Sequence, residues 1–253
     1  MVRLFATRAV EAAPPPRPGP IVTRLSSREL EELIYLISHD VRASVRALIE
    51  VPQWICEDLE EAGIKINDSM RENIDLMNRH TGRLDRMLVD LLTYSRVGRM
   101  QDVHEIDLDT ALTEVLEEIS VPAGFSLVRA FDCRHVYMGE RDVLTLLSAL
   151  VTNAVRHHDR DSGKVIVSAH QARGEILLRV RDNGPGIPEP YREKVFEAMS
   201  TLRPRDEVEG SGMGLAIVRK IALLYGGTAS VRDNADSRGT VVEVCLPRTR
   251  GET

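Results

Sequence analysis

Hydrophobic residues recur at helical spacing over the first hundred positions of the chain. The pattern predicts one helix from residue 24 to about residue 62 and a second from about residue 68 to residue 95. Small polar residues and a glycine at the ends of these segments are typical of helix caps. The candidate caps are Ser26 or Ser27, Gly63, and Asn67 or Asp68. We therefore expect an antiparallel helical hairpin.

Each predicted helix has a single apolar stripe, so the hairpin cannot bury both of its faces by itself. Pairing with a second copy of the chain, which gives a four-helix bundle, is the economical way to cover the stripes. The alternative is that the stripe packs against the C-terminal part of the chain. The stripe of the second helix consists of Met70, Ile74, Met77, Leu84, Met87, Leu88 and Leu91.

From about residue 107 the pattern changes to alternating helices and strands. This order favours an α+β fold, a two-layer α/β sandwich in which helices cover a mostly antiparallel sheet. Helices are predicted over 107–119, 140–157 and 213–225, and strands over SLVRAF, HVYMG, VIVSAH, EILLRVRD, GGTASVRD and GTVVEVCLP. The predicted organisation is a proline-rich segment (1–23), the hairpin (24–98), a linker (99–106), the α+β domain (107–248) and a tail (249–253).

Composition narrows the function classes. The chain has 253 residues, of which 43% are hydrophobic and 28% charged, as in an ordinary soluble protein. A formal charge of -6 argues against nucleic acid or an anionic membrane as the main partner. No run approaches the roughly 20 apolar residues of a membrane span. Three scattered cysteines (Cys56, Cys133 and Cys245) favour a reducing, cytoplasmic setting.

Three short elements of the α+β domain have residue types that suit a nucleotide. In RDNGPGIPE, Asp182 at a strand end can accept a hydrogen bond from an exocyclic amine, and Gly184 and Gly186 permit close approach. Taken alone, DNG is more typical of an ordinary turn. In EGSGMGLAIVRK, glycines lead into a helix, whose N-terminus favours anions. The spacing fits neither a P-loop nor a dinucleotide-binding fingerprint.

The third element, LLSALVTNAVRHH, is a predicted helix. The amide oxygen of Asn153 is a ligand type that Mg²⁺ prefers. Arg156 lies three residues further on, on the same helix face, and can contact phosphate. Each of these residues is also common as a polar surface residue, and only the three elements together are specific.

The order TNAVRH, DNGPGI, VFEAM, GSGMGLAIV and GTVVEVCLP resembles the ATP-binding domain of sensor histidine kinases, whose wider fold is shared with gyrase, mismatch-repair and heat-shock chaperone ATPases. The resemblance covers roughly residues 107–247. It implies that Asn153 holds Mg²⁺, that Asp182 reads the adenine amine, and that the stretch 187–210 with Phe196 is a mobile lid. The other implied or candidate nucleotide-binding residues are Arg156, Gly184, Gly186, Ser211, Gly212, Met213, Gly214, Leu215 and Thr240.

The same family has a dimerising hairpin before the ATP-binding domain, with a phosphate-accepting histidine in its first helix. SHDVRASVRAL resembles that motif, which implies His39 as the acceptor. Asp40 would fix the imidazole tautomer and Arg42 would steady the phosphoryl charge. A rotation of about 100° per residue also places the apolar stripe roughly opposite His39, which therefore faces solvent. That stripe consists of Leu30, Ile34, Ile37, Val41, Leu48 and Ile55.

The chain departs from the family pattern at three places. Ala149 stands where the family has a second Asn or, in the ATPases, a catalytic Glu, which argues against free-running ATP hydrolysis. Ala43 replaces the Thr or Asn of many bifunctional members, so phosphatase activity is in doubt. Ser44 replaces the usual proline, and the bend of the helix is expected nearer Pro52.

The sequence therefore predicts a protein-histidine kinase that uses ATP and Mg²⁺, autophosphorylates His39 and donates the phosphoryl group to an aspartate of a response regulator. The expected partners are a second copy of the chain, a response regulator and a separate sensor. A separate sensor is expected because residues 1–23 are too few for a sensor domain; the alternative is that the chain is a fragment of a longer protein. Two rival hypotheses are a dimeric phosphotransfer or scaffold protein that has lost ATP, and an anti-sigma-type serine kinase. The intact glycine elements argue against the first rival, and the long hairpin argues against the second.

Overall fold

The computed structural model describes residues 27–202, 210–235 and 237–248. The predicted N-terminal segment, the candidate cap Ser26, part of the predicted lid and the tail lie outside the described residues. No helix within the described ranges is long and apolar enough to cross a membrane.

The hairpin consists of α1 (Ser27–Glu61) and α2 (Asp68–Arg96). The chain reverses at Gly63, which has a φ of 68° that glycine adopts without steric cost. The N–H of Ile64 donates to the carbonyl of Leu59 at 2.9 Å, as in a Schellman C-cap. The predicted caps Gly63 and Asn67 are present, and the Asn67 side chain accepts from the N–H of Met70 at 2.8 Å. α1 continues through the buried Pro52.

One face of the hairpin is apolar and exposed. More than half of the exposed large hydrophobic side chains among the described residues lie on α1, α2 or the turn between them. Ile34 is half-buried, and the side chain of Leu30 lies outside the described residues. The remaining stripe residues of α1 are Ile37, Val41, Leu48 and Ile55, which are 54%, 39%, 50% and 40% exposed.

The last two turns of α2 pack on the C-terminal domain. Leu91 and Tyr94 contact its hydrophobic core, and Val97 belongs to it. Met77 and Leu84, further back on α2, are each 40% exposed. The end of the α2 stripe therefore packs on the C-terminal part of the chain, whereas the part further back stays exposed, and its pairing with a second copy stays a prediction.

The C-terminal domain is built on a five-stranded sheet in the order β2-β4-β5-β7-β6. The pair β2 and β4 is parallel and the other pairs are antiparallel, so the sheet is mostly antiparallel, as predicted. The strands are β2 (Phe125–Phe131), β4 (Gly163–Ala172), β5 (Glu175–Asp182), β6 (Thr228–Asp233) and β7 (Thr240–Pro247).

Three helices complete the domain: α3 (Leu108–Glu118), α4 (Glu140–Arg156) and α5 (Gly214–Leu224). The central strands alternate between buried and half-buried residues, and their buried side chains join those of the helices in one aliphatic core. α4 packs against both α3 and α5 and lies on β4 and β5. The C-terminal end of α4 therefore lies near the C-terminal end of β5.

A second, two-stranded sheet pairs β1 (Val103–Asp107) with β3 (His135–Gly139) in antiparallel orientation. β1 begins inside the segment 99–106, which the sequence analysis treats as a linker. This strand is not evident from the sequence, because VHEID has no strong alternation of its own and its hydrogen-bonding partner lies about thirty residues further along the chain.

Polar contacts fix the end of α2 to the C-terminal domain. Lys220 of α5 donates from Nζ to the carbonyl oxygen of Tyr94 at 2.8 Å and lies 4.3 Å from the centre of that ring. The buried Asp142 accepts from the N–H of Gly98 at 3.0 Å and from the hydroxyl of Tyr225 at 2.8 Å. These bonds place the end of α2 beside the first turn of α4 and the C-terminal half of α5.

Candidate functional site

A cavity of about 710 Å³ opens between α2, α4, the end of β5 and the glycine-rich segment before α5. Its volume is within the range of sites for small ligands. Most of the predicted nucleotide-binding residues, which are far apart in sequence, meet on its walls. These are Asn153, Arg156, Asp182, Gly186, Ser211, Gly212, Gly214, Leu215 and Thr240.

Asp182 is held at the wall of this cavity by backbone hydrogen bonds. Its Oδ1 accepts from the N–H of Gly184 at 2.8 Å and from the N–H of Thr240 at 3.1 Å. Both bonds fall on Oδ1, which leaves the acceptor capacity of Oδ2 for a ligand. Burial raises the pKa of the Asp182 carboxyl, and the two N–H groups oppose that effect. A carboxylate fixed in this way can accept a hydrogen bond from an amine on a planar base.

Two predicted residues do not line the cavity. Gly184 is buried behind Asp182, where its N–H is used to hold the carboxylate. Met213 is 1% exposed and belongs to the hydrophobic core, and its N–H donates to Ser211 Oγ at 3.0 Å. Both therefore shape the site from outside the cavity. The glycine-rich motifs do not predict this, since they do not show which way each residue faces.

The glycine-rich segment is packed tightly against the chain that follows β5. A Cβ atom at Gly212 would lie 2.6 Å from the carbonyl oxygen of Ser200, and the φ of Gly212 is 74°. Only glycine fits this position without displacing the backbone. The segment therefore delivers the N-terminus of α5 to the cavity wall, where the helix dipole favours an anion.

α2 contributes an acidic residue to the same end of the cavity. Ser211 donates its hydroxyl to the Asp90 carboxylate. Burial raises the pKa of Asp90, while the Ser211 hydrogen bond and the nearby positive charges of Arg156 and Arg86 lower it. Asp90 is not evident as a site residue from the sequence, because α2 carries several acidic residues and only the tertiary contact distinguishes this one.

The donor set of the cavity suits a magnesium ion that arrives with a phosphate. Asn153 supplies an amide oxygen, and Arg156 lies one turn further along α4. The described ranges contain no cluster of three or more His, Cys, Asp or Glu that could hold a metal. Mg²⁺ usually keeps several waters and takes other ligands from substrate phosphates, so one protein oxygen is sufficient. Ala149 also lines the cavity and brings no carboxylate to it.

His39 lies on the solvent-exposed surface of α1, as predicted. Its side chain is 71% exposed, and its Nδ1 lies 3.2 Å from Asp40 Oδ1. Arg42 contacts α2, and its role towards the phosphoryl group stays a prediction. Its Nε donates to Asp85 Oδ1 of α2 at 3.2 Å, so Arg42 joins the two helices of the hairpin.

The pairing of the helices places His39 at the level of the cavity. Arg96 lies over the Tyr35 ring at 5.3 Å from its centre, and Arg42 pairs with Asp85. His39 lies between these two contacts on α1, so it is level with the segment of α2 that lies between them. That segment contributes to the cavity wall.

The predicted lid is described only in part. Residues 203–209 lie outside the described ranges, while Ser200, Thr201 and Leu202 line the cavity. Phe196 is 3% exposed and belongs to the core, with the Arg219 guanidinium 4.2 Å from the centre of its ring. Phe196 therefore anchors the N-terminal part of this stretch.

A family model for histidine kinase-, DNA gyrase B- and HSP90-like ATPases matches residues 138–250. The signal transduction histidine-protein kinase AfsQ2 of Streptomyces coelicolor is 30% identical over 230 residues, which are 84% of this chain and 41% of AfsQ2. The chain thus spans less than half the length of that relative. A match over 84% of the chain is longer than the C-terminal domain alone and therefore extends into the hairpin.

Two solved structures share the fold. The mycobacterial sensor histidine kinase MprB is 27% identical, with a TM-score of 0.51, and the match covers 57% of this chain and 97% of the MprB chain. Histidine kinase ThkA, solved in complex with the response regulator protein TrrA, is 21% identical, with a TM-score of 0.61 over 89% of this chain and 65% of that chain.

Proposed function

Because this chain carries the catalytic core of a sensor histidine kinase, we propose that it phosphorylates its own His39 from ATP and passes the phosphoryl group to an aspartate of a response regulator. One juxtaposition carries the proposal. The cavity that contains Asp182 and the glycine-rich segment is closed on one side by α2, at the level of the exposed pair His39 and Asp40.

The cavity has separate ends for the base and the phosphates of ATP. Asp182 would accept from the exocyclic amine of adenine, next to Thr240. At the other end, Arg156, Ser211 and the N-terminus of α5 would bind the triphosphate. Bound Mg²⁺ would neutralise phosphate charge, and Asn153 is the residue that would hold it. Positioning and charge stabilisation of this kind are the main protein contribution to phosphoryl transfer.

His39 supplies the nucleophile. Since Nδ1 lies beside Asp40, Nε2 is the nitrogen whose lone pair attacks the γ-phosphorus. The new N–P bond forms as the bond between phosphorus and the β,γ-bridging oxygen breaks, and ADP leaves with that electron pair. The Nδ1 proton stays beside the Asp40 carboxylate, which stabilises the positive charge on the ring. In the second step an aspartate oxygen of the response regulator attacks phosphorus, and the N–P electrons return to Nε2.

The proposed partners follow from the surface of the hairpin and from relatives of the chain. The exposed apolar face of α1 and α2 fits a second copy of the hairpin, which would make a four-helix bundle. The structure of ThkA with a response regulator protein supports the second partner. We expect a separate sensor to deliver the signal.

The two rival hypotheses are less well supported. A scaffold that has lost ATP has no use for a cavity in which nine predicted nucleotide-binding residues still meet. An anti-sigma-type serine kinase does not need a long hairpin with an exposed His–Asp pair. Ala43 remains the basis for a separate prediction, that the protein donates phosphate better than it removes it.

A direct experiment is to incubate the protein with ATP labelled at the γ-phosphate and with Mg²⁺. We expect a label that is stable to alkali and lost in acid, as for phosphohistidine. His39→Ala should remove the label, whereas His80→Ala, at an exposed histidine of α2, should retain it. Equal labelling of His39→Ala and the parent protein would disprove the assignment.

A further inference from the structure

His158, two residues after the end of α4, is buried behind the base end of the cavity. Its side chain is 1% exposed. Its Nε2 lies 3.1 Å from Oδ1 of Asn183, the residue that directly follows Asp182. The ring stands edge-on to Phe125, with 5.2 Å between the ring centres and 86° between the planes. His158 is the last residue of the element LLSALVTNAVRHH, and that motif assigns it no role.

Hydrogen bonds define the role of each ring nitrogen. The Asn183 oxygen also accepts from the N–H of Lys164 at 2.7 Å, so Nε2 must be the donor to that oxygen. The N–H of Arg160 donates to Nδ1 at 3.1 Å, which makes Nδ1 the acceptor. The carbonyl oxygen of Arg160 also lies 3.2 Å from Nδ1, but it forms no hydrogen bond there while Nδ1 is an acceptor. The imidazole is therefore held at both nitrogens and donates one directed bond to the DNG turn.

The imidazole occupies space that two glycines leave open. A Cβ atom at Gly163 would lie 2.8 Å from His158 Nε2, and one at Gly184 would lie 3.3 Å from its Cδ2. The ring is thus packed between the first residue of β4 and the turn after β5. A side chain of another shape would leave this space partly empty or displace one of the two backbones.

The DNG turn that His158 contacts is also the turn that holds Asp182. The N–H of Gly184, on the far side of Asn183, donates to Asp182 Oδ1 at 2.8 Å. Asn234, which is buried, donates from Nδ2 to the carbonyl oxygen of Asp182 at 2.8 Å. Asn234 consequently fixes the backbone of Asp182 on one side, and the contact between His158 and Asn183 fixes the turn that carries the Gly184 N–H on the other.

We propose that His158 is a positioning residue for base recognition, which acts through Asn183 to hold Asp182 where it accepts from an exocyclic amine. The inference rests on the proposed binding of ATP in this cavity. Guanine presents a carbonyl oxygen where adenine presents the amine, and a rigid carboxylate rejects that oxygen more strongly than a mobile one. His158 should therefore increase the selectivity of the site for ATP over GTP. His158 itself touches neither the base nor the phosphates.

The test compares ATP and GTP binding by calorimetry, together with KM and kcat for ATP-dependent phosphorylation of His39. We expect His158→Ala to weaken ATP binding about tenfold, in line with the loss of a buried hydrogen bond and its packing. GTP binding should change little, so the ratio of the two affinities falls. The KM for ATP should rise while kcat at saturating ATP stays within about twofold. His158→Gln, which retains an N–H near the position of Nε2, should restore most of the selectivity.

His170→Ala, at a half-buried histidine of β4 on the same sheet, is the matched control and should leave the ratio unchanged. If His158→Ala does not fold, Asn183→Ala removes the bond from its other end and should lower the ratio by a similar factor. If His158→Ala folds, the losses in the double variant should add only in part, because both substitutions remove the bond between His158 and Asn183, while Asn183→Ala also removes the bond from the Lys164 N–H.

The possible failures are distinguishable. If the parent protein binds ATP and is phosphorylated at His39, but the variants lose kcat alone with KM and selectivity unchanged, then His158 is a structural residue and the inference is wrong. The proposed function would stand in that case. If the parent protein binds no ATP in the presence of Mg²⁺, the proposed function and the role of His158 both fail.

Discussion

At the scale of single residues, recognition of the base depends on where the carboxylate of Asp182 is held and on its charge. Two N–H groups bind one of its oxygens, and burial raises its pKa. Only the ionised form can accept from an amine at either oxygen. The same burial that makes the interaction strong also makes the carboxylate easier to protonate than an exposed one.

Affinity for ATP should therefore fall as the pH is lowered through the raised pKa of Asp182, and this fall should begin at a higher pH than for an exposed carboxylate. Above that pKa the carboxylate is fully ionised and contributes no further change. Asp182→Asn is the control: it should bind ATP more weakly at neutral pH and lack this step. Titration of the ATP phosphates is common to both proteins, so the difference between the two calorimetric pH profiles isolates Asp182. Identical profiles would count against its role.

At the scale of secondary-structure elements, α2 belongs to two parts of the molecule. Over most of its length it pairs with α1, and over its last turns it packs on the C-terminal domain. There Asp90 accepts from Ser211, close to Arg156, at the end of the cavity assigned to phosphate. A bound triphosphate and the Asp90 carboxylate would thus compete for the same donors.

Asp90→Asn should tighten ATP binding by about two- to fivefold, the range measured for partly exposed charge pairs. The gain should shrink as salt is added, because screening weakens the repulsion that the substitution removes. Asp75→Asn, at an exposed residue nearer the start of α2, should leave the affinity unchanged. Weaker binding by Asp90→Asn would mean that Asp90 supports the nucleotide site.

Local sequence patterns predict most helices, strands and glycine-rich turns, whereas the features that the sequence does not reveal depend on tertiary contacts. Gly63 and Asn67 mark the hairpin turn in the sequence, and the motifs around Asn153, Asp182 and Gly212 predict the cavity. The strand β1, by contrast, depends on a partner about thirty residues away. Asp90 and His158 acquire their contacts only when α2 and the DNG turn are in place, and no local pattern distinguishes them from other polar residues.

At the scale of the whole molecule, the exposed apolar face of the hairpin is the main feature that the single chain leaves uncovered. The exposed side chains of α1 are spaced at helical intervals, and Leu48 near their centre is 50% exposed. A contiguous apolar surface of this kind marks an interface. The polar contacts of Lys220 and Asp142 hold the C-terminal domain against the end of α2, so the domain does not cover this face.

The protein should therefore be a dimer in analytical ultracentrifugation at micromolar concentration. Leu48→Glu should raise the dimer dissociation constant by at least about tenfold, since it would bury an unpaired charge in the interface. Leu223→Glu changes a comparably exposed leucine of α5, 62% exposed, and should leave the dimer intact. A parent protein that sediments as a monomer would contradict the predicted bundle.

The central claim, that His39 takes the γ-phosphoryl group of ATP, is tested most directly by locating that group in the protein. After incubation with ATP and Mg²⁺, peptides prepared at neutral pH can be sequenced by tandem mass spectrometry without loss of phosphohistidine. We predict the phosphoryl group on His39 in the parent protein, and an unphosphorylated hairpin in His39→Ala although that variant still binds ATP. A phosphoryl group on another residue, or none in a protein that binds ATP, would contradict the account.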